Sequence, residues 1–249
     1  MNDTPEKIRK RKRGIYLLPN LFTTATLFGG FYAILTAMNG HFEHAAIAIF
    51  VAMVMDGLDG RIARMTNTQS DFGAEYDSLA DMVAFGLAPA LVIYLWALTD
   101  LGKLGWLAAF VYTAATALRL ARFNTQAGIA DKRYFQGLPS PSAAAIIAGA
   151  VWVGADNGID GISIAVPVAI LTTITGLLMV SNFRFSSFKE IDFKGKVPFM
   201  VVVVVMLGFA ILLLQPPIVL FLIFMIYAIS GPIITLVQLR KRKADRAQP

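Results

Sequence analysis

Cysteine is absent from this chain, which excludes disulfides and thiolate metal sites. Histidine is nearly absent: His41 and His44 are the only two, and they make no metal site without carboxylate help. Charge is scarce as well, at 15% of residues against about 25% in soluble domains. With 57% hydrophobic residues and a mean hydropathy of +0.64, the chain has more apolar side chain than a water-soluble fold can hide. Lipid is the solvent that fits. No sequence repeat, low-complexity linker or soluble domain is evident, and no cleavable leader is expected. The basic run KIRKRKRG (7–14) leads straight into an apolar stretch without a small-residue cleavage pattern.

What the chain has in abundance is apolar segments near the ~20 residues that cross a bilayer as a helix. They fall at 15–37, 42–63, 73–98, 104–123, 139–155, 161–181, 197–214 and 218–239, with a break at Gln215-Pro216-Pro217. Only helices are compatible with such segments, because open sheets would leave unpaired backbone in hydrocarbon. The expectation is therefore an all-α, polytopic integral membrane bundle of about eight transmembrane helices, with six or seven as alternatives. With eight crossings and a cytoplasmic start, 21 of the 22 Lys and Arg fall in or beside 1–14, 64–72, 124–138, 182–196 and 240–249; only Lys103 does not. That asymmetry is the positive-inside pattern and places both termini in the cytoplasm. The domain reading is a basic segment 1–14, a membrane domain 15–239 and a basic tail 240–249. With a span directly behind it, KIRKRKR reads as an anchor on anionic headgroups, and no nucleic-acid partner is expected.

Against this background the stretch DGLDGRIARMTNTQSDFGAEYDSLAD (56–81) is anomalous, because it carries Asp56, Asp59, Asp71, Glu75, Asp77 and Asp81. Residues three and four apart share a helix face, so Asp56, Asp59 and Gly60 cluster at the end of the second span. Gly73, Asp77 and Asp81 form one stripe on the third. The short polar link makes the two helices antiparallel neighbours, and the four aspartates converge; Asp71 and Glu75 fall on other faces. Four carboxylates in a bilayer would cost roughly 10 kcal/mol on insertion scales if nothing compensated them. Arg61 and Arg64 could neutralise part of this, but a divalent metal pair matches four carboxylates better. Hard oxygen ligands select Mg²⁺ or Mn²⁺, and Ca²⁺ can also enter such a site. Two such ions suit phosphoryl chemistry. A polar network that only fixes helix packing is the competing reading. Gly57, Gly60 and Gly73 would let a diphosphate approach the backbone, though small residues also simply pack membrane helices.

The spacing D-x2-D-G-x2-A-R-x8-G-x3-D-x3-D, present without departure as Asp56, Asp59, Gly60, Ala63, Arg64, Gly73, Asp77 and Asp81, resembles the CDP-alcohol phosphotransferase family. The resemblance implies that Asp56, Asp59 and Asp77 ligate metal, while Asp81 completes the site and is the general base. It implies that Gly60, Ala63 and Gly73 line the cytidine pocket with Asp59 close by, that Arg64 lies near them, and that the partners include membrane lipids and a second copy in a homodimer. The runs LLPNLFT (17–23), LRLARFN (118–124) and FQGLPSPSAA (135–144) are similar to the phosphatidylserine synthase subgroup. That similarity implies transfer of a phosphatidyl group from CDP-diacylglycerol to L-serine, with release of CMP, at the cytoplasmic face of a prokaryotic cell membrane. It also places Asn20 and Thr23 by the nucleotide, where their competing role is an interfacial turn and helix cap.

Arg119 and Arg122 end the fourth span and are candidates for the acceptor carboxylate or the lipid diphosphate, a bidentate task that suits arginine. Two other functions compete. A sister enzyme using glycerol phosphate or inositol phosphate would share the whole aspartate motif. A divalent-cation transporter would also carry intramembrane aspartates, but around a midplane gate rather than at one end.

Overall fold

The structure is a computed structural model and describes residues 17–66, 68, 70–126, 134–186 and 199–246. The KIRKRKR run, and Lys132 and Arg133 of the loop after the fourth expected span, lie outside these residues. Helix α1 (Leu17–Met38) turns at Asn39–His41 into α2 (Phe42–Thr66), with Gly40 at φ 78° in the left-handed region that glycine reaches without strain. A third rod starts as α3 (Asp71–Asp81), passes through a π-helical stretch at Met82–Leu87 into α4 (Ala88–Ile93), and ends in π and 3₁₀ turns at Leu101. Next come α5 (Lys103–Gln126), α6 (Ser140–Asp156), a 3₁₀ turn with α7 (Ala165–Val180), α8 (Phe199–Leu214) and α9 (Pro216–Arg246). Pro216 opens α9 at a position where its missing N–H costs nothing, so the expected break falls between two helices.

The polytopic membrane bundle is as expected, but the number of spans differs from the predicted eight. Among the described residues, five helices are long and apolar enough to cross a membrane: Leu18–Met38, Asp71–Leu101, Lys103–Thr125, Gly161–Val180 and Pro216–Gln238. Helix α2 has the length, at 25 residues, but Asp56, Asp59, Arg61 and Arg64 make its last third polar. Helices α6 (17 residues) and α8 (16 residues) rise only about 25 Å, short of a ~30 Å hydrocarbon core. The bundle is all-α apart from one small ribbon. Strands β1 (Tyr134–Gln136) and β2 (Arg184–Ser186) pair antiparallel, with Phe135 opposite Phe185. Three-residue strands are too short to leave a periodic trace in the sequence.

Small residues bring the helices together. A Cβ on Gly29 would lie 2.9 Å from Ala52 Cβ, and one on Gly30 would lie 2.6 Å from Ala84 Cα, so α1 seats its glycine pair against α2 and the third rod. Helix α6 is the central one: ten of its 17 residues are buried, four of them alanines, and it touches α2, α4, α7 and α9. Its alanine-rich, weakly hydrophobic sequence reflects close helix packing rather than contact with lipid. Helix α8 is the opposite case, with nearly all its valines and leucines exposed on the outside of the bundle.

The π-helical stretch after Asp81 has a chemical cause. Pro89 has no N–H to donate to the carbonyl of Phe85, four residues earlier. The hydroxyl of Tyr112, fully buried on α5, donates to that carbonyl instead at 2.9 Å, and the Ala88 amide reaches back five residues to Val83. Asp81 is thus the last residue before a register change, the setting in which π-turns recur at functional sites.

Candidate active site

The third rod is launched by a cap. Ser70 precedes α3 in extended conformation and its Oγ accepts from the Gly73 amide at 3.1 Å. The turn before it is held by the Thr68 amide donating to the Ala63 carbonyl at 3.0 Å, and by the paired hydroxyls of Thr66 and Thr68 at 2.7 Å. These contacts aim α3 back along α2 and bring the two aspartate stripes face to face.

The result is a group of three carboxylates. Asp56, Asp59 and Asp77 each offer an oxygen, and these oxygens lie within 4.8 Å of one another. Asp59 is buried, Asp56 and Asp77 half-buried. Like charges this close repel, so the arrangement fits a bound divalent cation, and hard carboxylate oxygens are the kind of donor that Mg²⁺, Mn²⁺ or Ca²⁺ prefers. No other group of three or more potential ligands occurs among the described residues. Asp81 stands next to this group, within electrostatic reach of Asp56, Asp77 and Arg119 but outside the three-oxygen set. Its Oδ1 is buried without a hydrogen-bond partner. Asp71 and Glu75 are exposed and take no part, as their helical phase predicts.

The other sequence candidates divide. Thr23 is buried at 3% exposure and donates to Asp59 Oδ2 at 2.8 Å while also bonding the Pro19 carbonyl. It therefore orients a carboxylate of the cluster. Asn20, one turn earlier, sets its Oδ1 beside Gly73, 3.7 Å from where a Cβ would stand. Gly57 and Gly60 have no heavy atom within 4 Å of a hypothetical Cβ, so neither packs a helix. Ala63 is half-buried next to them. Arg61 is exposed, and Arg64 folds back on its own helix, its Nε donating to the Gly60 carbonyl at 2.8 Å. Arg119 faces the site: Asp81 is the leading charge that acts on it, and its Nη1 donates to Ser140 Oγ at 2.8 Å. Arg122 turns away, its Nη1 donating to Asn182 Oδ1 at 3.5 Å.

Three contacts escaped the sequence reading. Tyr76 shares a 2.9 Å hydrogen bond with Thr24, locking α3 to α1. Ser78 and Asn124 are joined at 2.9 Å between α3 and α5. Ser140 anchors Arg119. Asn124 and Ser140 lie inside the LRLARFN and FQGLPSPSAA runs, which were the one available pointer to them. A cavity of about 640 Å³ opens at the opposite end of the bundle, lined by His41, Glu43, His44, Trp96 and Asp160 among others. The two imidazoles lie 6.0 Å apart, edge to face, and have no third ligand within coordinating range among the described residues. The chemistry lies with the carboxylates instead.

The chain is similar to known proteins. A family model described as CDP-alcohol phosphatidyltransferase matches residues 16–178, which take in every motif position. A CDP-diacylglycerol--serine O-phosphatidyltransferase from Helicobacter pylori is 38% identical over 197 residues, covering 78% of this chain and 82% of that protein. Proteins with the same name from Mycobacterium leprae and Bacillus subtilis are 31% and 34% identical. The first alignment covers 90% of this chain and 76% of the relative, the second 70% and 92%. With the model matched over more than half its length and the aspartates gathered as the motif requires, the chain belongs to the CDP-alcohol phosphatidyltransferase family.

Proposed function

We propose that this protein transfers the phosphatidyl group of CDP-diacylglycerol to L-serine, giving phosphatidylserine and CMP. The observation that carries the reading is the convergence of Asp56, Asp59 and Asp77 within 4.8 Å, with Asp81 beside them. The names of the relatives supply the acceptor. Asp56, Asp59 and Asp77 would hold one Mg²⁺ or Mn²⁺, and Asp81, facing Asp56 and Asp77, would complete a second position. Bound there, divalent ions neutralise the diphosphate and the charge that builds as CMP leaves. Thr23 keeps Asp59 turned toward the cluster. The uncrowded backbone at Gly57 and Gly60, with Asn20, Ala63, Arg64 and Gly73 around it, receives the cytidine diphosphate. Asp81 takes the proton of the serine hydroxyl as that oxygen bonds to the phosphatidyl phosphorus and the phosphorus–oxygen bond to CMP breaks.

A water-soluble acceptor and a lipid donor can meet only near a membrane surface. The charge asymmetry of the sequence supports the cytoplasmic face of a prokaryotic cell membrane. On the same basis both termini, with the basic segments 1–14 and 240–249, lie in the cytoplasm. The family resemblance supports a homodimer.

Purified protein given CDP-diacylglycerol, Mn²⁺ or Mg²⁺ and a panel of alcohols should release CMP with L-serine and not with glycerol phosphate or inositol phosphate. Release with a phosphorylated alcohol alone would move the activity to a sister reaction. No release with any acceptor, while Mn²⁺ still binds, would overturn the enzyme reading. Asp81→Asn should lose turnover and keep CDP-lipid binding; a rate near wild type would remove Asp81 as the base.

A further inference from the structure

Two buried polar atoms in the site lack partners among the described residues, and they are of opposite kind: Asp81 Oδ1 accepts and Arg119 Nε donates. Their side chains attract one another across the site. Buried polar groups are rarely left unpaired, and when they are, a ligand or water is the usual reason. Arg119 is not free to swing, because Ser140 accepts from its Nη1 at 2.8 Å. That bond uses one end of the guanidinium and leaves the edge formed by Nε and Nη2, the edge that can grip both oxygens of a carboxylate.

Ser140 is itself rigidly placed. It is 0% exposed and begins α6, directly after Pro139. The segment before it is tied at Gly137, whose amide donates to Phe183 O at 2.9 Å, and at Leu138, whose amide donates to Leu178 O at 3.0 Å. Gly137 sits at φ 77°, and a Cβ there would fall 2.1 Å from the Met179 carbonyl oxygen. The ribbon of β1 and β2 continues this clamp. Residues 134–139 are thus fixed, and they hold one hydroxyl against one guanidinium.

We infer that Ser140 is a positioning residue that sets the free edge of Arg119 to receive the carboxylate of the acceptor amino acid, so that the acceptor hydroxyl arrives at Asp81. This rests on the serine-transfer reading. Arg122, drawn toward Asn182, does not share the task.

The test is steady-state CMP release by the full-length protein, with L-serine and with serinol, which keeps the hydroxyl and amine but has no carboxylate. Ser140→Ala should raise KM for serine by about tenfold while kcat and KM for CDP-diacylglycerol stay within about twofold, the pattern of lost uniform binding. It should also narrow the preference for serine over serinol, and Ser140→Thr should restore both. An unchanged KM for serine in Ser140→Ala overturns the inference, as does an equal loss with serine and serinol. If the wild type releases no CMP in response to serine, the proposed function fails first, before any variant is compared.

Discussion

Removing the hydroxyl of Tyr112 tests whether the π-helical stretch after Asp81 depends on a single borrowed hydrogen bond. Tyr112→Phe keeps the ring, which is fully buried, and deletes only the donor to the Phe85 carbonyl. The usual amide donor, four positions on, is missing because that residue is Pro89. A buried carbonyl left without a donor costs about 1–3 kcal/mol. For a chain of this size that corresponds to a fall of roughly 2–10 °C in Tm if unfolding is cooperative. The assay is thermal unfolding of detergent-purified protein followed by the fluorescence of Trp96, Trp106 and Trp152. The decisive variant is the double one. Pro89→Ala supplies an amide N–H one helical turn from Phe85, so Tyr112→Phe with Pro89→Ala should be more stable than Tyr112→Phe alone. CMP release should follow the same order, since the stretch starts at the residue after Asp81. A Tyr112→Phe protein with wild-type Tm, or a double variant no better than the sum of its parts, would refute the account.

Further outcomes follow from the same geometry. Gly30→Ala places a methyl 2.6 Å from Ala84 Cα and should cost about 1–3 kcal/mol with a matching loss of activity, whereas Gly208→Ala, with no neighbour within 4 Å, should leave Tm unchanged or slightly raised. Thr23→Val removes the donor to Asp59 and should weaken Mn²⁺ binding by about tenfold in a titration followed by electron paramagnetic resonance. Asp77→Asn should abolish measurable Mn²⁺ binding at concentrations that saturate the wild type, while Glu75→Gln should bind normally; a reversal would mean that the helical phase of α3 is misassigned.

Much of the site was legible because its members lie close together in the chain. Asp56 and Asp59 on one helix, Asp77 and Asp81 on the next, are brought together by nothing more than 3.6-residue periodicity and a short link, and periodicity also set Asp71 and Glu75 aside. The membrane-spanning character followed equally directly from composition. The number of spans did not, because a hydropathy window cannot tell a helix that faces lipid from one that faces other helices. Helix α6 is short and alanine-rich since it is packed on most sides, and the end of α2 meets α3 through the carboxylates of Asp56, Asp59 and Asp77.

The sequence by itself determined the solvent, the helical class and the pair of aspartate-bearing helices, since each depends on local composition or on neighbours a turn apart. Tertiary structure alone decided which atoms meet across the chain. Thr23 reaches Asp59 from 36 residues away, Ser140 reaches Arg119 from 21, and Tyr112 stands in for the amide that Pro89 lacks. Helical phase carries no information about partners on another rod. Those pairings exist because glycine and alanine surfaces let the rods approach closely enough for one hydroxyl to find one acceptor.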